Sequence, residues 1–250
     1  MTAALPLRGL RVLVTRPAAQ AETLCRLLEA RGAEVRRLPL QTIEPARQPA
    51  SAARALADAR QADAWIFTST NAVHYARQLD AGVWPRAIAV GAATAAALES
   101  LGHSATQPGQ SYTSEGVLAL AGMQDAAGRR YAIVTGEEGR GLIGETLAAR
   151  GATVDTVAVY RRVDLPHAPE AVAQALAACD VAIITSGEAL ARLAALLPAS
   201  QQALLRGLQL VAPSQRVVEQ ARQLGIAREP LVPEQVADAA YVRCLEAWRR

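Results

Sequence analysis

Six short turns rich in Ser, Thr and Gly are the segments of this 250-residue chain whose residue types and spacing could support chemistry. Each turn follows a continuous apolar run and precedes an Ala- and Leu-rich segment with helical spacing. A helix that begins in such a turn presents free backbone N–H groups and a partial positive charge, and both favour a bound anion. Ser, Thr and Asn are also ordinary helix N-caps, so one turn alone does not indicate a site. Together the turns predict a receptor for a ligand with many carboxylates, and they occupy residues 15–17, 68–71, 91–94, 135–140, 185–188 and 212–215.

The charged and sulfur-containing residues exclude several kinds of chemistry. All 26 basic residues are Arg, so the chain lacks the lysine that a Schiff base, a pyridoxal-phosphate site or a Walker-A loop requires. The net charge of +3 is too small and too evenly spread for a nucleic-acid-binding stripe. The three Cys and three His are scattered without metal-ligand spacing, so we expect reduced thiols, no metal site and no cofactor.

Two segments approach known motifs without matching them. Residues 136–141 have glycines spaced GxxGxG rather than GxGxxG, and they lack the acidic residue that follows a dinucleotide site after about 20 residues. Residues 185–187 (Thr-Ser-Gly) do not form a nucleophile elbow, and no arrangement of His and Asp accompanies them. Neither segment therefore predicts a dinucleotide site or a nucleophile.

An internal repeat predicts the elements that position the turns. Residues 9–35 and 128–154 both contain a short apolar run that ends in Val-Thr, followed by a helical segment that ends in Ala-Arg-Gly-Ala. Gly32 and Gly151 lie where a helix C-cap needs a left-handed residue. Two further strand–turn–helix units also occur twice, one beginning at 64 and 181 and the other at 88 and 208. Continuous apolar strands that alternate with helices indicate an α/β fold with parallel sheets covered on both faces.

The order of these units predicts two domains, one of them discontinuous. We expect residues 1–39 and 164–250 to form one α/β domain, residues 46–157 to form the other, and residues 40–45 and 158–163 to cross between them. The two crossings could pair as a two-stranded β-ladder hinge. For each domain we expect a flavodoxin-like sheet, which is the common small fold with alternating parallel strands and helices. A single large sheet is the structural alternative. Ligands of parallel sheets bind beyond the carboxyl ends of the strands, where the six turns lie.

Eight segments of the chain, in an unbroken order, resemble the uroporphyrinogen-III synthase family. They are VLVTRPAAQAETLCRLLEARGAEV (12–35), IFTSTNAV (66–73), IAVGAATAAALESLG (88–102), YTSEGVLAL (112–120), GEEGRGLIGETLAARGATV (136–154), VAVYRR (157–162), IITSGEAL (183–190) and VAPSQRV (211–217). Each motif is loose, but the ordered set is specific and spans nearly the whole chain. The resemblance implies two α/β domains, one discontinuous, joined by a β-ladder.

The resemblance also implies the reaction. Members of the family are hydro-lyases that close hydroxymethylbilane to uroporphyrinogen III, with loss of water and inversion of ring D, in haem and sirohaem biosynthesis. Loss of the hydroxymethyl oxygen gives an azafulvene and needs at most one general acid. Attack by the substituted carbon of the terminal ring gives a spiro intermediate, which fragments and recloses inverted. We expect a monomer without cofactors, in at most transient contact with hydroxymethylbilane synthase.

Site residues follow from the resemblance position by position. Tyr160 matches the family's candidate acid near the leaving hydroxyl; the alternative is a tyrosine that only packs at the hinge. The implied contacts to the acetate and propionate arms are Thr15, Arg16, Ser69, Asn71, Gly91, Thr94, Ser114, Gly136, Arg140, Thr185, Ser186 and Ser214. One departure concerns residues 212–215, which are Ala-Pro-Ser-Gln where members commonly have Gly-Pro-Thr-Thr. Ser214 keeps a hydroxyl, but Gln215 replaces the second one.

Two other functional classes fit parts of the pattern. A non-catalytic two-domain binder of an anionic small molecule would share the fold, but the first residues lack the apolar stretch of a signal peptide, which disfavours a periplasmic version. A flavodoxin-like signalling domain needs an acidic cluster and a lysine, and lysine is absent. Since no apolar run approaches the roughly 18 residues of a membrane span, we expect a cytoplasmic protein without membrane or nucleic-acid partners.

Overall fold

Short continuous apolar runs form the buried strands, and helices begin at the turns that follow them. The computed structural model describes residues 5–109, 113–139 and 141–250. In chain order the strands are β1 (Arg11–Val14), β2 (Glu34–Arg37), β3 (Gln41–Pro45), β4 (Ala64–Phe67), β5 (Arg86–Ala89), β6 (Ala105–Thr106), β7 (Arg130–Gly136), β8 (Thr153–Asp164), β9 (Val181–Ile183) and β10 (Gln209–Val211). The helices are α1 (Ala18–Ala30), α2 (Pro49–Ala59), α3 (Thr70–Leu79), α4 (Ala92–Ser100), α5 (Ser114–Leu118), α6 (Ala121–Gln124), α7 (Leu142–Ala149), α8 (Pro169–Ala177), α9 (Gly187–Ala195), α10 (Gln202–Gly207), α11 (Gln215–Gln223) and α12 (Asp238–Trp248).

Internal contacts divide the chain into two units. The first unit consists of the described part of residues 1–42 together with 164–250, and the second consists of residues 43–163. The boundaries fall within β3 and β8. The mixed α/β fold with parallel sheets that the sequence predicts is confirmed. In the part of the chain that the structure describes, no helix is long and apolar enough to cross a membrane.

The first unit contains a four-stranded sheet in the order β10-β9-β1-β2, with every neighbouring pair parallel. Successive side chains of β1 point to opposite faces of this sheet. Leu13 packs in a core cluster with α8, α9, α10 and α11, whereas Val12 and Val14 pack in a second cluster with α1 and α12. Both faces are therefore covered, as parallel sheets require.

The second unit contains the strands β8-β7-β4-β5-β6 in that order, all parallel, and β3 lies beyond β8 in the same sheet. Trp65 and Phe67 of β4 pack in a cluster with α2, α3 and α4. Ala64 and Ile66 face the opposite cluster, which contains residues of α5, α6 and α7. The carboxyl ends of β4, β5 and β7 consequently meet at one edge of this sheet.

The internal repeat ends both helices in the same way. Gly32 follows α1 with φ 89°, and Gly151 follows α7 with φ 84°, which confirms the left-handed positions expected from the sequence. The next residue in each case returns a hydrogen bond to the last turn, from Ala33 N–H to the carbonyl of Leu28 at 3.1 Å and from Ala152 to Leu147 at 3.0 Å. This ending directs β2 and β8 alongside β1 and β7.

Candidate active site

Two of the predicted turns begin helices with the same geometry. Ser69 is the N-cap of α3, with φ −164° and ψ 166°, and its Oγ accepts the Ala72 N–H at 3.1 Å. Ser186 is the N-cap of α9, with φ −160° and ψ 160°, and its Oγ accepts the Ala189 N–H at 3.0 Å. Each cap satisfies one N–H of the first helical turn, so the other early N–H groups can meet an external acceptor.

Tyr160, the candidate acid, lies on β8 in the core cluster that includes β4, β7 and α3. The residue is almost completely buried, at 2% exposure. Its hydroxyl lies 3.2 Å from Ser69 Oγ, and either oxygen can donate in this hydrogen bond. Arg162 Nη2 lies 3.5 Å from the same hydroxyl, and the Tyr75 ring stacks on Tyr160 at 6.0 Å between centroids. Tyr160 is thus both packed and hydrogen-bonded.

A β-bulge directs the Tyr160 ring toward Ser69. Along β7 and β8, Thr135 pairs with Ala158 but Gly136 pairs with Tyr160, so Val159 is the extra residue. Gly136 leaves the space that the ring fills, because a Cβ at that position would lie 2.7 Å from Tyr160 Cζ and 2.8 Å from Cε2. The bulge and the glycine therefore fix the position of the phenol together.

The turn after β7 is held by two threonines. Thr68 Oγ1 donates to Thr135 Oγ1 at 2.9 Å, which links the carboxyl ends of β4 and β7. The Gly139 N–H donates to the Gly136 carbonyl at 3.0 Å and closes a tight turn. Arg140, another predicted contact, lies outside the described residues.

The remaining predicted residues of the second unit lie at helix starts. Gly91 caps α4 through its extended backbone, and the N–H of Thr94, which is buried, donates to the Gly91 carbonyl at 3.0 Å. Asn71 is the second residue of α3. Ser114 is the first residue of α5, but the cap is Thr113, whose Oγ1 accepts an N–H of that helix at 3.3 Å. Direct contact therefore joins Ser69, Gly136 and Tyr160, whereas these other residues belong to the starts of three separate helices.

In the first unit, Thr15 and Arg16 already have partners. Thr15 is buried, and its Oγ1 donates to the Ile183 carbonyl at 3.2 Å. Arg16 Nη1 lies 2.6 Å from Asp238 Oδ1, and the Arg16 side chain is only 16% exposed. Its Cζ lies 6.0 Å from the centroid of the Tyr241 ring. Burial raises the pKa of Tyr241 to about 12, and its hydroxyl has no hydrogen-bond partner among the described residues.

The two other turns of the first unit differ in their use of hydroxyls. Thr185 is half-buried and precedes the cap residue Ser186. Ser214 is the N-cap of α11, with φ −164° and ψ 161°, but its side chain makes no capping hydrogen bond. Because Ser214 is also exposed, its hydroxyl can bind a ligand without breaking a contact of the cap.

The thiols are not arranged for catalysis. Cys25 and Cys179 are buried, Cys244 is half-buried, and all three are free. Burial raises the pKa of each thiol, which disfavours the nucleophilic thiolate at neutral pH. Within residues 5–109, 113–139 and 141–250, no cluster of three or more His, Cys, Asp or Glu side chains could hold a metal ion.

Three neighbours of this site were not among the predicted residues: Thr68, Tyr75 and Arg162. Arg162 follows Tyr160 by two positions in a strand, and this period-2 spacing was an available signal that both side chains share a face. Thr68 precedes Ser69 in the turn of residues 68–71, one of the six Ser-, Thr- and Gly-rich turns. No local pattern marks Tyr75, because its contact with Tyr160 depends on how α3 packs on the sheet.

The fold and the site define a class: an α/β protein with parallel sheets, in which hydroxyl-capped helix starts follow the strands and the Tyr160 phenol is hydrogen-bonded to one of the caps. A family model described as uroporphyrinogen-III synthase HemD matches residues 22–242. The chain therefore belongs to the uroporphyrinogen-III synthase family.

Individual relatives agree with this assignment. The chain is 34% identical over 225 residues to the uroporphyrinogen-III synthase of Escherichia coli, an alignment that covers 86% of this chain and 91% of that protein. It is 35% identical to the Salmonella typhimurium synthase over the same shares. Among solved structures, a mutant uroporphyrinogen III synthase from Thermus thermophilus has a TM-score of 0.64 at 20% identity, covering 96% of this chain and 100% of that one. The synthetase from Helicobacter pylori has a TM-score of 0.59 at 14% identity, covering 96% and 98%. At these identities the two structures show the fold alone.

Proposed function

We propose that this chain is a lyase that closes hydroxymethylbilane to uroporphyrinogen III, with loss of water and inversion of ring D (EC 4.2.1.75). The observation that supports this most directly is the similarity to the Escherichia coli synthase, which extends over 91% of that protein. The reaction belongs to tetrapyrrole biosynthesis, which leads to haem and sirohaem.

We assign the first proton transfer to Tyr160. Its O–H bond breaks as the proton passes to the hydroxymethyl oxygen, which leaves as water with the C–O electron pair. The product of this step is a cationic azafulvene that keeps its pyrrole N–H (an azafulvenium ion), and the phenol becomes a phenolate. The contact with Ser69 at 3.2 Å supports this assignment, because it places the hydroxyl at a helix start suited to a negative charge.

The later steps set the orientation of ring D. Its substituted α-carbon attacks the azafulvenium ion and gives a cationic spiro intermediate, which fragments to a second azafulvenium ion. The free α-carbon of ring D then closes the macrocycle and loses a proton, which restores the phenol. Direct closure through the free α-carbon would give the uninverted isomer. The main task of the protein is therefore to hold a flexible chain so that the substituted carbon attacks first.

The helix starts are proposed to bind the acetate and propionate arms. The residues involved are Thr15, Arg16, Ser69, Asn71, Gly91, Thr94, Ser114, Gly136, Arg140, Thr185, Ser186 and Ser214. The hydroxyls of Ser69 and Ser186 already cap their helices, and that of Thr15 is buried. Their turns therefore bind carboxylates mainly through backbone N–H groups, whereas Ser214 offers its hydroxyl directly.

We further propose two flavodoxin-like domains, residues 1–39 with 164–250 and residues 46–157, joined by a ladder of residues 40–45 and 158–163. The strand orders β2-β1-β9-β10 and β8-β7-β4-β5-β6 support this, because in each sheet the two strands of the internal repeat lie beside the strand that precedes a Thr-Ser turn. Within one unit the Leu165 N–H donates to the Leu40 carbonyl at 2.9 Å, and within the other Ala46 donates to Val159 at 3.2 Å. From the first pair to the second, the residue number rises from 40 to 46 on one segment and falls from 165 to 159 on the other, which is the pattern of an antiparallel ladder.

The working form is proposed to be a cytoplasmic monomer that uses no cofactor and binds neither membrane nor nucleic acid. Because hydroxymethylbilane also closes spontaneously, a transient contact with hydroxymethylbilane synthase would shorten its time in solution. Light scattering of the purified protein, with and without that synthase, measures both the monomer and the contact.

The activity is tested by isomer analysis. Purified protein is incubated with hydroxymethylbilane, the product is oxidised to the porphyrin, and isomers I and III are separated by chromatography. We expect isomer III at a rate proportional to the protein concentration. Isomer I alone, formed at the rate of a protein-free control, would refute the activity and would favour a non-catalytic binder.

A further inference from the structure

The Tyr160 hydroxyl has two polar neighbours of different character. Ser69 Oγ lies 3.2 Å away and Arg162 Nη2 lies 3.5 Å away. A phenol has one proton to donate and two lone pairs to accept with, whereas a guanidinium only donates. Arg162 therefore occupies a lone pair of the phenol and never competes for its proton.

Ser69 can fill the second lone pair of the Tyr160 hydroxyl. Its Oγ accepts the Ala72 N–H at 3.1 Å, and a hydroxyl that accepts a hydrogen bond becomes a better donor. When Ser69 donates to Tyr160, both lone pairs of the phenol are occupied. The phenol proton then points away from both neighbours and can be given to a substrate.

We propose that Arg162 is a positioning residue for the reaction: with Ser69 it orients the Tyr160 O–H and stabilises the phenolate left after proton transfer. The inference rests on the proposed role of Tyr160 as the acid. In the step concerned, the phenol O–H bond breaks and the proton leaves with the departing oxygen as water. The negative charge stays on the phenolate oxygen, against the guanidinium of Arg162.

The surroundings of Arg162 leave its charge available for this role. The neighbouring Arg161 is neutralised by Glu44, with 2.6 Å between Nη2 and Oε2. Among the residues that the structure describes, no carboxylate forms an ion pair with the Arg162 guanidinium, whose Cζ lies 5.8 Å from the Tyr160 ring centroid. The backbone N–H of Arg162 donates to Glu138 Oε2 at 3.3 Å, which holds this part of β8 to the turn after β7. The distance of 3.5 Å is long for a hydrogen bond, and such contacts shorten when charge develops in the reacting complex.

The test is a double-mutant cycle of Arg162→Gln and Tyr160→Phe, with Arg162→Lys as the conservative variant. Loss of a hydrogen bond to a charged group predicts a fall in kcat of about 10-fold to 100-fold for Arg162→Gln, with little change in KM. Arg162→Lys should recover part of that loss, since it keeps the charge. In the Tyr160→Phe background, Arg162→Gln should cause no further fall, because the phenolate that it stabilises is gone. Arg130→Gln is the matched control: it removes an arginine paired with Asp155 at 2.8 Å at the other end of β7, and kcat should be unchanged.

The outcomes separate this inference from the proposed acid. If Tyr160→Phe slows turnover but Arg162→Gln lowers kcat equally in both backgrounds, the inference fails while the acid stands. An Arg162→Gln variant that changes only KM also overturns it, because it assigns Arg162 to substrate binding. If Tyr160→Phe keeps the full rate, the assignment of the acid fails, and the role of Arg162 fails with it. Thermal unfolding of each variant identifies any loss of activity that is caused by misfolding. If Arg162→Gln is misfolded, the test rests on Arg162→Lys, whose effect on kcat must likewise disappear in the Tyr160→Phe background.

Discussion

Replacement of Gly136 by Ala tests how closely the catalytic geometry depends on the fold. The added Cβ would lie 2.7 Å from Tyr160 Cζ, 2.8 Å from Cε2 and 3.1 Å from the hydroxyl oxygen. In ordinary packing a Cβ rarely lies closer than about 3.4 Å to another heavy atom, so the ring must move by several tenths of an ångström. The Tyr75 ring stacks on Tyr160 and restricts that movement.

Two effects of Gly136→Ala are expected together. Overpacking of this kind typically costs about 1–3 kcal/mol in the free energy of unfolding. A displaced hydroxyl also loses its 3.2 Å contact with Ser69, and misplacement by about 1 Å can slow an enzyme roughly 100-fold. We therefore expect kcat to fall by one to two orders of magnitude on that scale, with a smaller change in KM.

The measurements are urea unfolding and initial rates of formation of isomer III. Gly122→Ala is the matched control, because a Cβ there meets no atom within 4 Å; it should leave kcat unchanged and should not lower the free energy of unfolding. A Gly136→Ala variant with normal kcat and normal stability would refute the reasoning. It would mean that the ring can shift freely without loss of function.

Three further predictions concern the caps, a buried hydroxyl and pH. Ser69→Ala and Ser186→Ala should each lower the free energy of unfolding by about 1 kcal/mol, because each removes a helix cap. Only Ser69→Ala should also lower kcat, because only Ser69 contacts Tyr160. Equal effects of the two variants on kcat would contradict the role of that contact. Tyr241→Phe should leave stability unchanged or raise it in urea unfolding, because it removes a buried hydroxyl that has no described partner; a loss above about 1 kcal/mol would reveal a hydrogen bond. Burial opposes the charge of Asp80, but the hydrogen bond from Arg60 and neighbouring donors outweigh it and lower the pKa of Asp80. A carboxyl with a lowered folded-state pKa stabilises the fold above its unfolded value of about 3.9, and this stability is lost as pH falls through the folded-state pKa. Asp80→Asn should therefore destabilise the protein at pH 7, and its difference from the unchanged protein should shrink below about pH 4; a difference that is independent of pH would contradict this.

The sequence predicts the helix starts better than the contacts between them. Ser69 and Ser186 follow apolar runs and precede helical segments, and these local features suffice to place them as caps. Ser114 shows the limit of this reasoning, because Thr113, one residue earlier, has an equally suitable hydroxyl and is the cap. Thr15 also follows an apolar run and precedes a helical segment, as the exposed turn residues do. Its hydroxyl is nevertheless buried and donates to the carbonyl of Ile183, at the end of the neighbouring strand β9.

Apart from Arg162, the surroundings of Tyr160 could not be derived from local pattern. A regular strand would alternate its side chains, and Val159 and Tyr160 would then face opposite sides of the sheet. The bulge places both in the same core cluster, and it exists only in the pairing of β8 with β7. The contacts of the phenol with Ser69 and Tyr75 therefore depend on tertiary structure rather than on the spacing of residues.

The division of the first unit into two chain segments has a consequence for synthesis on the ribosome. The strands β1 and β2 emerge first, but β1 pairs with β9, whose residues follow the whole of the second unit. At about 5–20 residues per second, translation of the intervening 121 residues (43–163) takes roughly 6–24 s. During that interval the second unit has all of its own sequence and can fold, while Val12 and Val14 have no partner strand on the β9 side. The nascent chain therefore exposes one apolar strand edge for seconds, and this is the stage at which a chaperone or a slow translation pause would most affect the yield of folded protein.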